Sequence, residues 1–239
     1  MDKIMLIKMK KIILFFFFLN LFLFGLLSNN YAQKNDAAVW ENIYLQKRVT
    51  SKFLIHLNHE GRITQNITQF HYGYADMGLT YKPNKNFHAS LDYVFIEKIP
   101  NGKVLSIRHQ FYLALTAKKK FKPFVFYYRQ IIQSQVQDIY SSDYGRIPDN
   151  CLRSKITVKC ELNRFTPYVA SELYIRMNEP YAFEADRYRC FAGVFYELTK
   201  LNTIEFYYLV ERFFKETKPD AINPVTNYVI GIGFAHTFY

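Results

Sequence analysis

The sequence runs to 239 residues and carries 31 Lys and Arg against 20 Asp and Glu, a formal net charge of +11. Aromatic residues make up 18% of it, as 23 Phe, 20 Tyr and a single Trp, which together with only three cysteines excludes a disordered chain, a collagen and a disulfide scaffold. Hydrophobic residues reach 50%, yet the mean hydropathy is only -0.14, so the apolar residues are diluted evenly by polar ones, unlike a helical membrane protein.

In chain order, the first predicted element is a leader. Lys3, Lys8, Lys10 and Lys11 form a basic start, Ile12 to Leu27 is an apolar run with Asn20 as its polar interruption, and Ser28 to Tyr31 leads to small Ala32 and polar Gln33. The pattern predicts a secretory signal peptide over 1–32, cleaved after Ala32. Its apolar run falls short of the about 20 residues that a spanning helix needs. The exported chain, 33–239, stays basic. Export, and a charge distribution with no clustered basic run beyond Lys118 to Lys120, exclude a nucleic-acid partner. Cys151, Cys160 and Cys190 are odd in number for an oxidising compartment and read as packed or lipid-facing thiols.

Beyond Leu27 the recurring period is two, and no apolar stretch is long enough for a membrane helix. Alternating runs predict strands near 39–48, 52–62, 68–82, 87–98, 104–117, 121–137, 151–161, 167–177, 186–198, 203–215 and 226–239. Tight connections at 49–51, 83–86, 118–120, 162–166 and 199–202 alternate with longer ones around Ile63 and Pro100 and over 140–150, 178–185 and 216–225. Short turns on one rim and longer loops on the other are the layout of an outer-membrane barrel. Such barrels normally have an even strand number. The expectation is therefore an all-β, antiparallel transmembrane barrel of ten to twelve strands: ten without 39–48, twelve if 121–139 divides. An odd count would require 33–39 to rise through the lumen.

Each run has two chemically distinct faces. In the last one Tyr228, Ile230, Ile232, Phe234, His236 and Phe238 oppose Val229, Gly231, Gly233 and Ala235. In 152–161 Leu152, Ile156 and Val158 oppose Arg153, Lys155 and Lys159, and in 105–116 Leu105, Ile107 and Phe111 oppose Ser106, Arg108 and Gln110. A soluble lipocalin-like barrel would turn its apolar face inward. Strands of ten or more residues, an apolar face rich in Phe and Tyr, and an end at Phe238 and Tyr239 favour the membrane barrel, with lipid as its outer partner. Tyr228, Ile230, Ile232, Phe234, Phe238 and Tyr239 would then form the signal read by the barrel assembly machinery.

Cations in hydrocarbon cost about 2 to 4 kcal/mol each near the midplane, which assigns the charged face to the lumen. Arg108, Arg129, Arg153, Lys155, Arg176, Arg187 and Arg189 are its expected cations. Glu161, Glu172, Glu197, Glu205 and Glu211 have the parity to serve as counter-ions.

The chain resembles a family of Bacteroidota barrel proteins, number 2490 among the domains of unknown function. The resemblance is carried by Trp40-Glu41, Leu57-Asn58-His59-Glu60-Gly61-Arg62, Arg153 to Glu161, Pro167 to Tyr174, Arg187 to Glu197 and Glu205-Phe206-Tyr207-Tyr208. It implies an outer-membrane location and supplies no activity.

The lumen charges are the best functional candidates, because converging charges select ions, hold a polar ligand or line a narrow pore. In a small barrel they can equally pair into a salt-bridged plug. A lipid hydrolase or deacylase would need Ser134, Ser141 or Ser142 beside a His, yet no His occurs between His109 and His236. A soluble periplasmic lipid-binding barrel is the third reading. His56 and His59 point to opposite sides of a strand, so they do not form a metal pair, and no cofactor is implied. Tyr140 to Arg146 and the acidic 178–186 segment, with Glu179, Glu184 and Asp186, are rim segments for a glycan or protein partner, and the lumen for a small polar solute.

Overall fold

A computed structural model of the protein describes residues 34–99, 105–137, 148–178, 183–214 and 225–238. The predicted leader, the Tyr140 to Arg146 segment with Ser141 and Ser142, Glu179, the 216–224 loop and Tyr239 lie outside the described residues. Eleven strands form one closed barrel: β1 (Lys34–Arg48), β2 (Phe53–Thr64), β3 (Gln69–Tyr81), β4 (Phe87–Lys98), β5 (Ser106–Phe121), β6 (Phe124–Gln137), β7 (Asp149–Cys160), β8 (Phe165–Arg176), β9 (Glu184–Glu197), β10 (Asn202–Phe213) and β11 (Val225–Phe238).

Neighbours in sequence pair antiparallel all the way round, and β1 closes on β11 in parallel, from Lys34 opposite Val225 to Lys47 opposite Phe238. The count falls within the ten to twelve expected, but it is odd, so neither the ten- nor the twelve-strand way of restoring parity applies. Lys34 to Ala38 do not rise through the lumen but belong to the seam strand. A second correction concerns the tight turn expected at Lys118 to Lys120. Those lysines continue β5, opposite Tyr127, Phe126 and Val125, and the turn is Lys122-Pro123. Their ammonium groups reach water from the rim, so a cationic run does not end the strand there.

The short-turn rim is built with one recurring device. Thr50 Oγ1 accepts from the backbone N–H groups of Lys52 and Phe53, Asn84 Oδ1 from those of Asn86 and Phe87, and Thr199 Oγ1 from those of Leu201 and Asn202. Each side chain mimics a backbone acceptor and fixes a reversal of four or five residues. On the opposite rim, β2 and β3 join through Gln65, Asn66 and Ile67, all at positive φ near 54° to 64°. The Asp36 carboxylate on β1 accepts from the N–H groups of Gln65 and Asn66 and holds this left-handed turn in place. A β-branched residue there is strained. Ile67→Gly is accordingly expected to stabilise the barrel by about 1 kcal/mol, read as a higher urea midpoint; a lower midpoint would mean that the Ile67 side chain contributes more than its backbone costs.

The faces sort as their alternation predicts. Ile55, Leu57, Met77, Leu79, Leu91, Phe111, Leu113, Leu115, Ile132, Ile156, Phe206, Ile230 and Ile232 are all exposed on the outside. Polar and charged residues point inward, opposite to a soluble ligand-binding barrel. Inside, two apolar clusters fill part of the volume. Ala38, Trp40, Tyr168, Ala170, Phe191, Leu209 and Val229 form one beside the seam, and Val94, Ile96, Tyr112, Ala114 and Ile131 form the other across from it. Gly193 and Gly231 leave room for large neighbours: a Cβ on Gly231 would sit 2.0 Å from the Tyr207 ring, and one on Gly193 2.8 Å from that of Tyr168. The small face of the last strand thus receives Tyr207 from β10.

Candidate functional site

Between the two clusters runs a cavity of about 1110 Å³. Its lining extends from Thr64, Lys98, Gln135 and Asn150 near the long-loop rim to Gln46, Lys82, Thr116 and Lys159 near the short-turn rim. Successive inward residues of adjacent strands fall into rows that climb around the wall, because barrel strands are tilted and staggered. One row reads Arg129, Lys155, Glu172, Arg189, Glu211 and Asn227, each in register with the next across β6 to β11.

The long-loop half of that row is a closed ionic network. Glu172 Oε1 accepts from Arg153 Nε at 3.0 Å and from its terminal nitrogen at 2.7 Å. Glu211 Oε1 accepts from Arg189 at 2.7 Å and Arg187 at 3.1 Å, while its other oxygen accepts from Asn227 at 2.9 Å. Tyr174 stands at the centre. Its hydroxyl accepts from Arg189 at 2.6 Å and donates to Glu172 at 3.3 Å, and the guanidinium groups of Arg153 and Arg187 lie 4.6 and 4.1 Å from its ring centroid. Three cations are thereby held by two carboxylates and one ring face. Glu172 and Glu211 are only 2% and 3% exposed, so this is a pairing that burial enforces.

A second row, Lys159, Tyr168, Gly193, Tyr207, Gly231, Trp40, Arg62 and Tyr72, lies below and beside the first. Arg62 is bound by Glu60 at 2.5 Å and stacks on Trp40 at 3.8 Å and Tyr72 at 4.4 Å. Arg189 approaches the other neighbourhood of the same indole at 5.2 Å. Charge and aromatic rings therefore interleave around the seam.

The short-turn half is different in kind. Lys155 lies 4.1 Å from the Phe191 ring centroid, and Lys159 lies 3.9 Å from that of Phe195. Neither makes an ion pair among the described residues. Glu205, a carboxylate facing that region, accepts a short hydrogen bond from Tyr168. At the rim itself, burial and the positive charges of Arg48 and Lys118 pull the Lys82 ammonium below the usual lysine range. On this wall of the lumen the two lysines are held by rings rather than by carboxylates among the described residues.

Of the residues singled out from the sequence, Arg108, Arg129, Arg153, Lys155, Glu172, Arg176, Arg187, Arg189, Glu205 and Glu211 all line the cavity. Arg176 is paired with Asp186. Glu161 and Glu197 are not brought in. Glu161 sits in a rim turn, half-exposed, against Lys120, and Glu197 is exposed where β9 ends. Tyr228, Ile230, Ile232, Phe234 and Phe238 share the outer face. Ser134 shares the outward parity of exposed Ile132 on β6. His56 points inward and His59 outward, as strand geometry requires. Sequence reasoning missed Trp40, Glu60, Arg62, Tyr174 and Lys159 as site residues, together with His56, Asp76 and Asp92. The even parity of β2, β3 and β4 carries that signal for His56, Glu60, Arg62, Asp76 and Asp92.

A family model described as "Protein of unknown function (DUF2490)" matches residues 37–223, most of the barrel. No curated protein matches the chain.

Proposed function

We propose, for a chain that belongs to the DUF2490 family, that it is an integral outer-membrane barrel holding and passing small anionic solutes through an electropositive lumen. One observation carries the solute class: eleven Lys and Arg side chains line the cavity against seven Asp and Glu. The acidic residues are largely spent on neighbouring arginines, whereas Lys155 and Lys159 rest on aromatic rings. A cation over a ring face keeps its attraction for an anion while staying partly desolvated. Weak, successive sites of this kind let a solute enter and leave.

Support for the membrane reading comes from the outward apolar belt and from polar groups facing in. Export rests on the leader over 1–32, and the greasy face of β11 is the segment the barrel assembly machinery would read. Lipid is the outer partner, and no cofactor takes part in this reading.

Refolded protein whose gel mobility shifts on boiling is the material for the test. In planar bilayers under a KCl gradient, discrete steps with a reversal potential on the chloride side are expected. The double variant Lys155→Gln, Lys159→Gln should move that potential toward the cation side at unchanged gel behaviour. Cation preference in the wild type, a folded barrel without conductance, or recovery of the protein in the soluble periplasmic fraction would each overturn the reading.

A further inference from the structure

We propose that His56, Asp76 and Asp92 form a binding site for one divalent transition-metal ion, of which Zn2+ suits the donor set best. The three sit on consecutive strands, β2, β3 and β4, all at inward positions, and each offers a ligand atom within 4.8 Å of the other two. Asp76 and Asp92 are 6% and 2% exposed. Two carboxylates and one imidazole are thus gathered out of water.

Their hydrogen bonding is what points to a ligand. Asp92 Oδ2 accepts from Ser90 Oγ at 2.6 Å, and Asp76 Oδ2 accepts from the Tyr112 hydroxyl at 2.6 Å. In both carboxylates one oxygen is fixed by a neutral hydroxyl and the other is left toward the cluster, the arrangement by which supporting groups orient metal ligands. Asp76 Oδ1 has no hydrogen-bond partner, and neither has His56 Nδ1. His56 Nε2 lies 2.7 Å from Asp92 Oδ1, so that pair alone accounts for one carboxylate and leaves Asp76 unexplained. The backbone makes room for the cluster as well: a Cβ on Gly78 would fall 2.0 Å from Asp92 Oδ1 and 2.5 Å from His56 Cε1.

One imidazole nitrogen and two carboxylate oxygens are ligands that Zn2+ accepts in its preferred four-coordinate geometry, with the fourth position open. His56 and Asp76 line the cavity, so that fourth position faces the lumen and takes a water or an anionic solute. A cation here stands on the wall opposite the arginine network and stays independent of whether the barrel conducts.

Chelator-treated, refolded protein is titrated with Zn2+ by calorimetry. One equivalent is expected to bind, and His56→Gln and Asp76→Asn should each weaken binding by at least about tenfold, since even disturbing a supporting hydrogen bond does that much. His59→Gln, outside the barrel, should leave it unchanged. Absence of binding in the wild type, or equal binding in the His56 and Asp76 variants, overturns the proposal and leaves a His–Asp ion pair. If those variants fail to refold, the wild type loaded with Zn2+ decides by X-ray absorption. One imidazole with oxygen donors supports the site, and sulfur or several imidazoles sink it.

Discussion

Ile232→Arg is expected to abolish assembly, whereas Gly233→Ser one residue later should assemble as well as the wild type. Ile232 faces outward and is 46% exposed; in the membrane proposed for the barrel, a cation there would meet hydrocarbon at a cost of about 2 to 4 kcal/mol near the midplane. Gly233 faces the lumen, and a Cβ on it would lie 3.2 Å from Glu205 Oε2, a flexible side chain that can move. Polarity alone would predict the same tolerance for Gly231, since it shares the inward face. It should instead fail, because a Cβ at Gly231 would lie 2.0 Å from the Tyr207 ring, which is held between Gly193 and Gly231. Heat-modifiable gel mobility of the three variants reads the result directly. Normal mobility for Ile232→Arg together with failure of Gly233→Ser would mean that lipid lies on the other side of the wall.

Glu172→Ala should be the most damaging single change inside the lumen. Its carboxylate accepts two hydrogen bonds from Arg153 and one from Tyr174, and lies 3.9 Å from Arg189. Removing it leaves the Arg153 guanidinium without a carboxylate while Arg189 keeps Glu211, a loss of about 3 to 5 kcal/mol for a broken buried pair. Glu161→Ala offers the contrast, since its partner Lys120 and its own side chain are both some 40% exposed. Solvent screening limits such a pair to about 1 kcal/mol or less. Urea midpoints of the refolded barrels measure both. A Glu172 variant no less stable than the Glu161 variant would show that water reaches the network and screens it. Adding Arg153→Met to Glu172→Ala should recover part of the loss, because the uncompensated charge is then gone.

The strands were legible because a two-sided wall writes its period into the chain. β7, expected at 151–161, spans Asp149–Cys160, and β4, expected at 87–98, spans Phe87–Lys98. Legibility failed where a strand lacks contrast between faces. Lys34, Asn35 and Asp36 are all polar and pair only because β11 runs alongside. Inward parity also located Arg153, Glu172, Arg189 and Glu211, yet not who holds whom, since registers across four strands decide that. In β2 the inward row mixes Leu54, His56, Asn58 and Glu60, and the register shifts between Arg62 and Ile63. His56 therefore meets Asp92, two strands away, through a geometry that no spacing within one strand encodes.

The parallel seam has a topological consequence. Every hairpin in the barrel returns the chain to the rim it left, but an odd number of crossings does not. The start of β1 lies beside the start of β11, and β11 ends beside the end of β1. Lys34 and Phe238 therefore stand at opposite rims of the barrel. In the membrane proposed for the barrel, an epitope placed just ahead of β1 and another just after β11 would report from two compartments, so that a membrane-impermeant label reaches one and spares the other.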